Sequence, residues 1–363
     1  MKIEEVIRYL DGVVPTFLQE SYDNSGFMIG DSNAELKGII TCVDVTEDVL
    51  EEAKRKSCNL VLSHHPLIFQ GMKKLTGQDH VAKTVQKAVK ENIAVYAAHT
   101  NLDSVDFGVS AILSGKIGLK GTKVLEPRTG VLKKLAVFCP EDYAEKVRKA
   151  IFEAGAGHIG DYDSCSFNLE GQGSFKAGDD ADPFVGQVGE LHYEKEVRVE
   201  TIFPVYKQKQ IIEAMIKAHP YEEVAYDIYP LDNQYEKAGF GITGYLETPL
   251  PAETFLSELK KKLNLKMLRH TQADGQVSRV AVCGGAGSFL IDKAKAAKVD
   301  AFITADLKYH DFFRAENKII LTDIGHYESE KYTKELLNQI ISEKFPNFAP
   351  SLSEIDTNPV KYL

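Results

Sequence analysis

Apolar residues fall into two alternating rhythms along the first third of the chain. From Ile3 to Leu10 they recur three and four apart, which predicts a helix. Gly38 to Val45 (GIITCVDV) is a nearly unbroken apolar run and predicts a strand. Thr46 to Lys56 (TEDVLEEAKRK) predicts a helix with Thr46 as its N-cap. Asn59 to Ser63 then predicts a strand, Val81 to Asn92 a helix and Ile93 to Ala98 a third strand. Strands apolar on both faces, alternating with helices, predict the α/β class, with a sheet covered by helices on both sides.

After about Pro127 the order changes. Leu132 to Pro140 predicts a strand and Tyr143 to Ala154 a helix. A glycine-rich stretch follows, and then Val197 to Val205 (strand), Gln208 to His219 (helix) and Ala225 to Leu231 (strand). This order suggests a ferredoxin-like α+β module of the β-α-β-β-α-β type. From about Gly239 the first rhythm returns, with strands predicted at Arg279 to Cys283, Ala301 to Thr304 and Ile319 to Thr322, and a long amphipathic helix from His326. The chain therefore divides into residues 1–126 and 236–363, two parts of one three-layer α/β domain, and an inserted domain at 127–235. The mostly parallel sheet of the first domain is expected to draw strands from both parts.

Ligand-type side chains stand where these strands end. His64 and His65 follow the second strand, and Pro66 favours ending the ladder there. Successive side chains on a regular strand point to opposite faces, so both rings share one site only if the chain turns at this point. The third strand runs into His99-Thr100-Asn101-Leu102-Asp103, and the last into Asp323-Ile324-Gly325-His326, with Glu330 four residues on. If His326 opens a helix, it and Glu330 lie on one face. Ligands collect outside the carboxyl ends of strands in open α/β sheets, which gives the set His64, His65, Asp103, His326 and Glu330; the alternative for each taken singly is a hydrogen-bonding loop histidine, a turn or N-cap residue at Asp103 and a solvated helix face at Glu330. Three imidazoles and two carboxylates suit Zn, Mn, Fe, Co or Ni better than Ca or Mg. Five donors exceed the usual three of a single catalytic zinc and are enough for two ions with one bridging carboxylate.

Two other segments carry candidate chemistry. Asp306 and His310 follow the strand Ala301 to Thr304, and His310 is a candidate general acid or base; the alternative is a helix start capped by Asp306. Gly284 to Ser288 opens a helix after a strand, as phosphate-binding loops do. No Lys-Ser/Thr follows the glycines, so a tight turn fits better.

Charge and composition narrow the partners. The formal net charge is −10, which disfavours a broad nucleic-acid surface. It leaves room for a small anionic substrate at bound cations. The five cysteines are odd in number and include no C-x-x-C pair, which fits free thiols and a cytoplasmic location. The N-terminus lacks the apolar stretch of a signal peptide, and no run approaches membrane-span length.

Over essentially its whole length the chain resembles the NIF-three-like dinuclear metal proteins, also named GTP cyclohydrolase 1 type 2-like. The resemblance rests on Tyr22-Asp23-Asn24-Ser25-Gly26, Ser63-His64-His65-Pro66-Leu67-Ile68-Phe69, Thr100-Asn101-Leu102-Asp103, Thr304 to His310 (TADLKYH) and Asp323 to Glu330 (DIGHYESE). It implies two divalent ions per subunit on His64, His65, Asp103, His326 and Glu330, with Glu330 bridging. It also implies a homohexamer built as a trimer of dimers. The insert resembles the CutA/PII-like domain of longer members through Gly155 to Gly160, Cys165-Ser166-Phe167 and His219-Pro220-Tyr221-Glu222. Many relatives carry Trp where this chain has Tyr22. Two functions follow as expectations. One is a metal-dependent hydrolase acting on GTP or another nucleotide. The other is a non-enzymatic metal carrier or regulatory protein.

Overall fold

The structure, a computed structural model, describes residues 1–346 and 348–363. The chain forms two compact units, Met1–Pro127 with Lys237–Leu363, and Arg128–Glu236.

The first unit is α/β and contains two sheets. One has five strands in the order Gly26–Ile29, Ala94–Ala97, Leu60–Ser63, Ile39–Cys42, Ser351–Leu352. Its first pair is antiparallel and the others are parallel. The three central strands are four residues long and buried at every position, as their unbroken apolar runs require. Helices Glu47–Arg55 and His80–Lys90 pack apolar residues onto this sheet, among them Val49, Leu50, Ala53, Val85 and Ala88. Thr46 caps the first of these helices, its side chain accepting from the Val49 N–H at 3.3 Å.

The second sheet has six strands in the order Arg269–His270, Ile320–Asp323, Ala301–Ala305, Gln276–Ala286, Tyr235–Pro251, Lys120–Arg128. The three strands from Ile320–Asp323 to Gln276–Ala286 are parallel, and their outer neighbours Arg269–His270 and Tyr235–Pro251 are antiparallel to them. Each sheet of this unit thus joins segments from both ends of the chain. The helical stretch after Gly325 is interrupted, with His326–Glu330 followed by Thr333–Lys344.

The second unit is α+β. Its antiparallel sheet has the order Phe167–Lys176, Leu191–Pro204, Leu132–Pro140, Tyr226–Pro230. Helices Ala144–Glu153 and Gln208–Ala218 share one core with it, centred on Leu135, Val137, Val147, Val199, Ile211 and Met215. The elements follow one another as β-α-β-β-α-β.

Candidate metal centre

The carboxyl ends of the parallel strands in the first unit carry the polar residues. After Ser63 the chain turns at once, because the His64 and His65 N–H groups both donate to Val43 O, at 3.1 and 2.9 Å. The Ser63 hydroxyl donates to His65 O at 2.8 Å and holds the turn. Both rings thereby reach one side, with centroids 4.9 Å apart. On the other sheet His326 opens its helix, and its Nε2 lies 3.1 Å from Glu330 Oε2 one turn along.

The donor atoms converge. Candidate ligand atoms of His64, His65 and Glu330 lie within 4.8 Å of one another. His65 Nε2 is 2.9 Å from Glu330 Oε2 and 3.3 Å from His326 Nε2. His64 Nε2 stands 3.6 Å from Glu330 Oε1 and 3.8 Å from Asp103 Oδ1, too far for hydrogen bonds. Accordingly, buried His64 Nε2 and Asp103 Oδ1 have no hydrogen-bond partner among the described residues. An orphaned imidazole nitrogen facing an orphaned carboxylate oxygen is costly, and a cation between them would satisfy both.

The outer nitrogens explain the ring orientations. His64 Nδ1 donates to Ala98 O at 2.8 Å. His65 Nδ1 bonds Asp44 Oδ1 at 2.7 Å, and His326 Nδ1 bonds Asp306 Oδ2 at 2.8 Å. Such anchors fix the tautomer and leave Nε2 free for a metal. His99 is held the same way, by Asp23 Oδ1 at 2.7 Å, and its ring lies 5.4 and 5.5 Å from those of His64 and His65. The sequence alone puts His99 at a strand end and Asp23 in a turn whose acid could line a site, without pairing them, and leaves Asp44 unassigned. A signal for His99 exists in its place at a strand end, but its carboxylate partner is 76 positions away.

Electrostatics fit the same picture. Burial opposes ionisation of Glu330, but the imidazoles of His64, His326 and His65 hold its carboxyl well below the usual range. Asp103 is pushed well up by burial and by the charge of Glu330. Burial lowers His64 from its ordinary value, against the pull of Glu330. His65 is also buried, yet Asp44 and Glu330 raise it to about 10. His326 rises to about 9 against its own burial, through Glu330 and Asp306. The cluster therefore holds protons where cations would sit, and metal uptake would release them.

Two sequence candidates take other places. Asp306 positions His326, with its own backbone in the left-handed region (φ 55°). His310 is exposed and packs against the Tyr309 and Phe313 rings. The glycine loop makes room for the cluster. A Cβ on Gly285 would lie 2.2 Å from Glu330 Oε1, and the Gly285 N–H donates to Ser329 Oγ at 2.9 Å. A cavity of about 410 Å³ adjoins His65 and His326; four acids, Asp44, Asp306, Asp323 and Glu328, line it with one Arg, Arg269.

An α/β unit with a buried histidine–carboxylate cluster at its strand ends defines a candidate metalloprotein. The Duf34/NIF3 (NGG1p interacting factor 3) family profile matches residues 1–359, and the chain belongs to that family. It is similar to a Bacillus subtilis protein named GTP cyclohydrolase 1 type 2 homolog, 41% identical over 370 residues, which span 99% of this chain and 98% of the relative. A Mycobacterium tuberculosis protein of the same name is 37% identical over 337 residues, 91% of this chain and 88% of its own. Among solved structures, a Bacillus cereus protein related to NIF3 superposes with a TM-score of 0.87 at 37% identity, covering 100% of this chain and 99% of that one. No helix among the described residues is long and apolar enough to cross a membrane.

Proposed function

We propose that this protein is a dinuclear divalent-metal protein with a hydrolase-like centre. The observation that carries the reading is the anchoring of the His64, His65 and His326 outer nitrogens, which turns the inner ones toward Glu330. His64, His65, Asp103, His326 and Glu330 would hold two ions of Zn, Mn, Fe, Co or Ni, with Glu330 shared between them. His99 adds a further imidazole beside them. Bound there, such a pair supplies Lewis acidity and acidifies a water. The chain's own part is to keep the donors rigid and to present the cavity to a substrate. Asp306 holds His326, and His310 at the surface is the candidate proton shuttle.

GTP or another nucleotide is the substrate class suggested by the relatives' names. The acids of the cavity favour a second reading, a metal carrier or regulator, because Asp44, Asp306, Asp323 and Glu328 outnumber its cationic groups His65, His326 and Arg269 and disfavour a triphosphate until metal ions neutralise them. A homohexamer, a CutA/PII-like role for Arg128–Glu236 and a cytoplasmic location belong to the same proposal. The five free cysteines support the last of these.

The test is GTP turnover followed by mass spectrometry, on chelator-stripped protein reloaded with Mn or Zn, beside Glu330→Gln. A metal-dependent product that vanishes in the variant establishes the hydrolase. Protein holding two ions per chain without any product removes GTP and leaves the carrier reading.

A further inference from the structure

The segment after the last strand is built into the candidate centre. Ser351–Leu352 joins the five-stranded sheet beside Ile39–Cys42. Just beyond, the Ser353 hydroxyl and the Glu354 N–H donate to the buried carboxylate of Glu52, at 2.6 and 2.9 Å. The chain then crosses to the metal side. Thr357 Oγ1 donates to Asp44 Oδ2 at 2.6 Å, and Asp44 Oδ1 in turn accepts from His65 Nδ1 at 2.7 Å. Asn358 Nδ2 donates to Glu328 Oε1 at 3.1 Å. Asn358, Pro359, Val360 and Tyr362 line the same cavity as His65 and His326.

The chain Thr357–Asp44–His65 has a mechanical meaning. A carboxylate that bonds one imidazole through one oxygen can still swing about its own bonds. A hydroxyl on its second oxygen removes that freedom and fixes the plane in which it meets His65. The hydroxyl comes from a segment with no helix or strand of its own beyond Leu352. We propose that Thr357 is a positioning residue of the metal centre, so that docking of residues 356–362 and metal binding are thermodynamically linked. The proposal rests on the metal reading above. Linkage is reciprocal: if the docked segment strengthens metal binding, bound metal strengthens docking by the same factor.

Two measurements on the full-length chain test it. The first is cobalt(II) affinity from visible absorption for the wild type, Thr357→Val and Thr357→Ser. Thr357→Val keeps the shape and removes the donor from Asp44, and the expected result is a loss of about 10-fold, the low end of the range for the groups that bond ligating histidines directly. Thr357→Ser restores the donor and should restore affinity, which a purely structural role for the methyl group would not produce. The second is hydrogen exchange of the wild-type backbone at 353–362 with and without cobalt, which does not depend on the variants folding. Slower exchange with cobalt is expected. Wild-type uptake with unchanged affinity in Thr357→Val, or exchange at 353–362 indifferent to cobalt, overturns the proposal alone. A wild-type chain that takes up no cobalt overturns the metal reading and the proposal with it.

Discussion

Replacing Gly285 with alanine separates two costs that usually arrive together. The first is backbone strain. Gly285 sits at φ 62°, where an L side chain is disfavoured by about 1–2 kcal/mol. The second is collision. The new Cβ would stand 2.2 Å from Glu330 Oε1, over an ångström short of ordinary contact. Glu330 is buried and fixed between His65 and His326 at 2.9 and 3.1 Å, so it can yield only by leaving that position. Gly275→Ala supplies the control. Gly275 has a similar φ of 77°, and its Cβ would meet nothing within 4 Å. Both variants should melt a few degrees below wild type, at about 2–4 °C per kcal/mol for a unit of this size. Only Gly285→Ala should also lose metal affinity, by about 10–100-fold, the range for disturbed support of a ligand. Equilibrium dialysis with metal analysis, beside thermal melts with and without metal, reads both effects. A Gly285→Ala protein that matches Gly275→Ala in melting and wild type in metal content would refute the reasoning.

Two further outcomes follow from the same geometry. Asp306→Asn keeps a residue that tolerates left-handed backbone but removes the charge behind His326; it should weaken metal binding about 10-fold, whereas His310→Ala should leave metal content unchanged, and the reverse ranking by dialysis would sink the assignment. In the second unit, His219 Nε2 donates to Phe138 O at 2.9 Å and its Nδ1 accepts from the Tyr221 N–H at 3.1 Å, a fit for the neutral ring only. Burial correspondingly lowers its pKa from 6.5. The unfolded chain binds this proton first, so the stability His219 contributes is present above pH 6.5 and lost as pH falls below it. The melting gap between wild type and His219→Gln should therefore narrow from pH 8 to about pH 5.5, the range an imidazole spans; a gap constant with pH would contradict it.

Much of the first unit was legible because its central strands are buried on both faces and read as unbroken apolar runs. The strand ends followed from the same runs, and with them the positions of His64, His65, Asp103, His326 and Glu330. Other features left no local trace. That the strands divide between two sheets depends on pairings between distant segments. Phe167–Lys176 is largely exposed, and glycines fill two of the positions where its alternation would need apolar side chains. The pairing of His99 with Asp23 is invisible although His99 itself stands at a strand end, and Asp44 reads as a turn residue until His65 and Thr357 are seen on its two oxygens. Gly284 and Gly285 read as a tight turn but belong to the strand Gln276–Ala286, at a register irregularity between Val282 and Ala286, and their purpose leaves no local trace, since Glu330 enters that space from another element.

The cluster draws on residues 265 positions apart in His65 and Glu330. While the chain is being made, the early histidines leave the ribosome well before the helix that bears Glu330. A nascent chain therefore has imidazoles without their bridging carboxylate, and what it can hold is weak and exchangeable. Tight loading would wait until the two ends of the first unit have met, after the whole second unit has been synthesised between them. Metal retention would then report that folding has finished, and a chain cut short before His326 would lose its metal to a chelator that the whole chain resists.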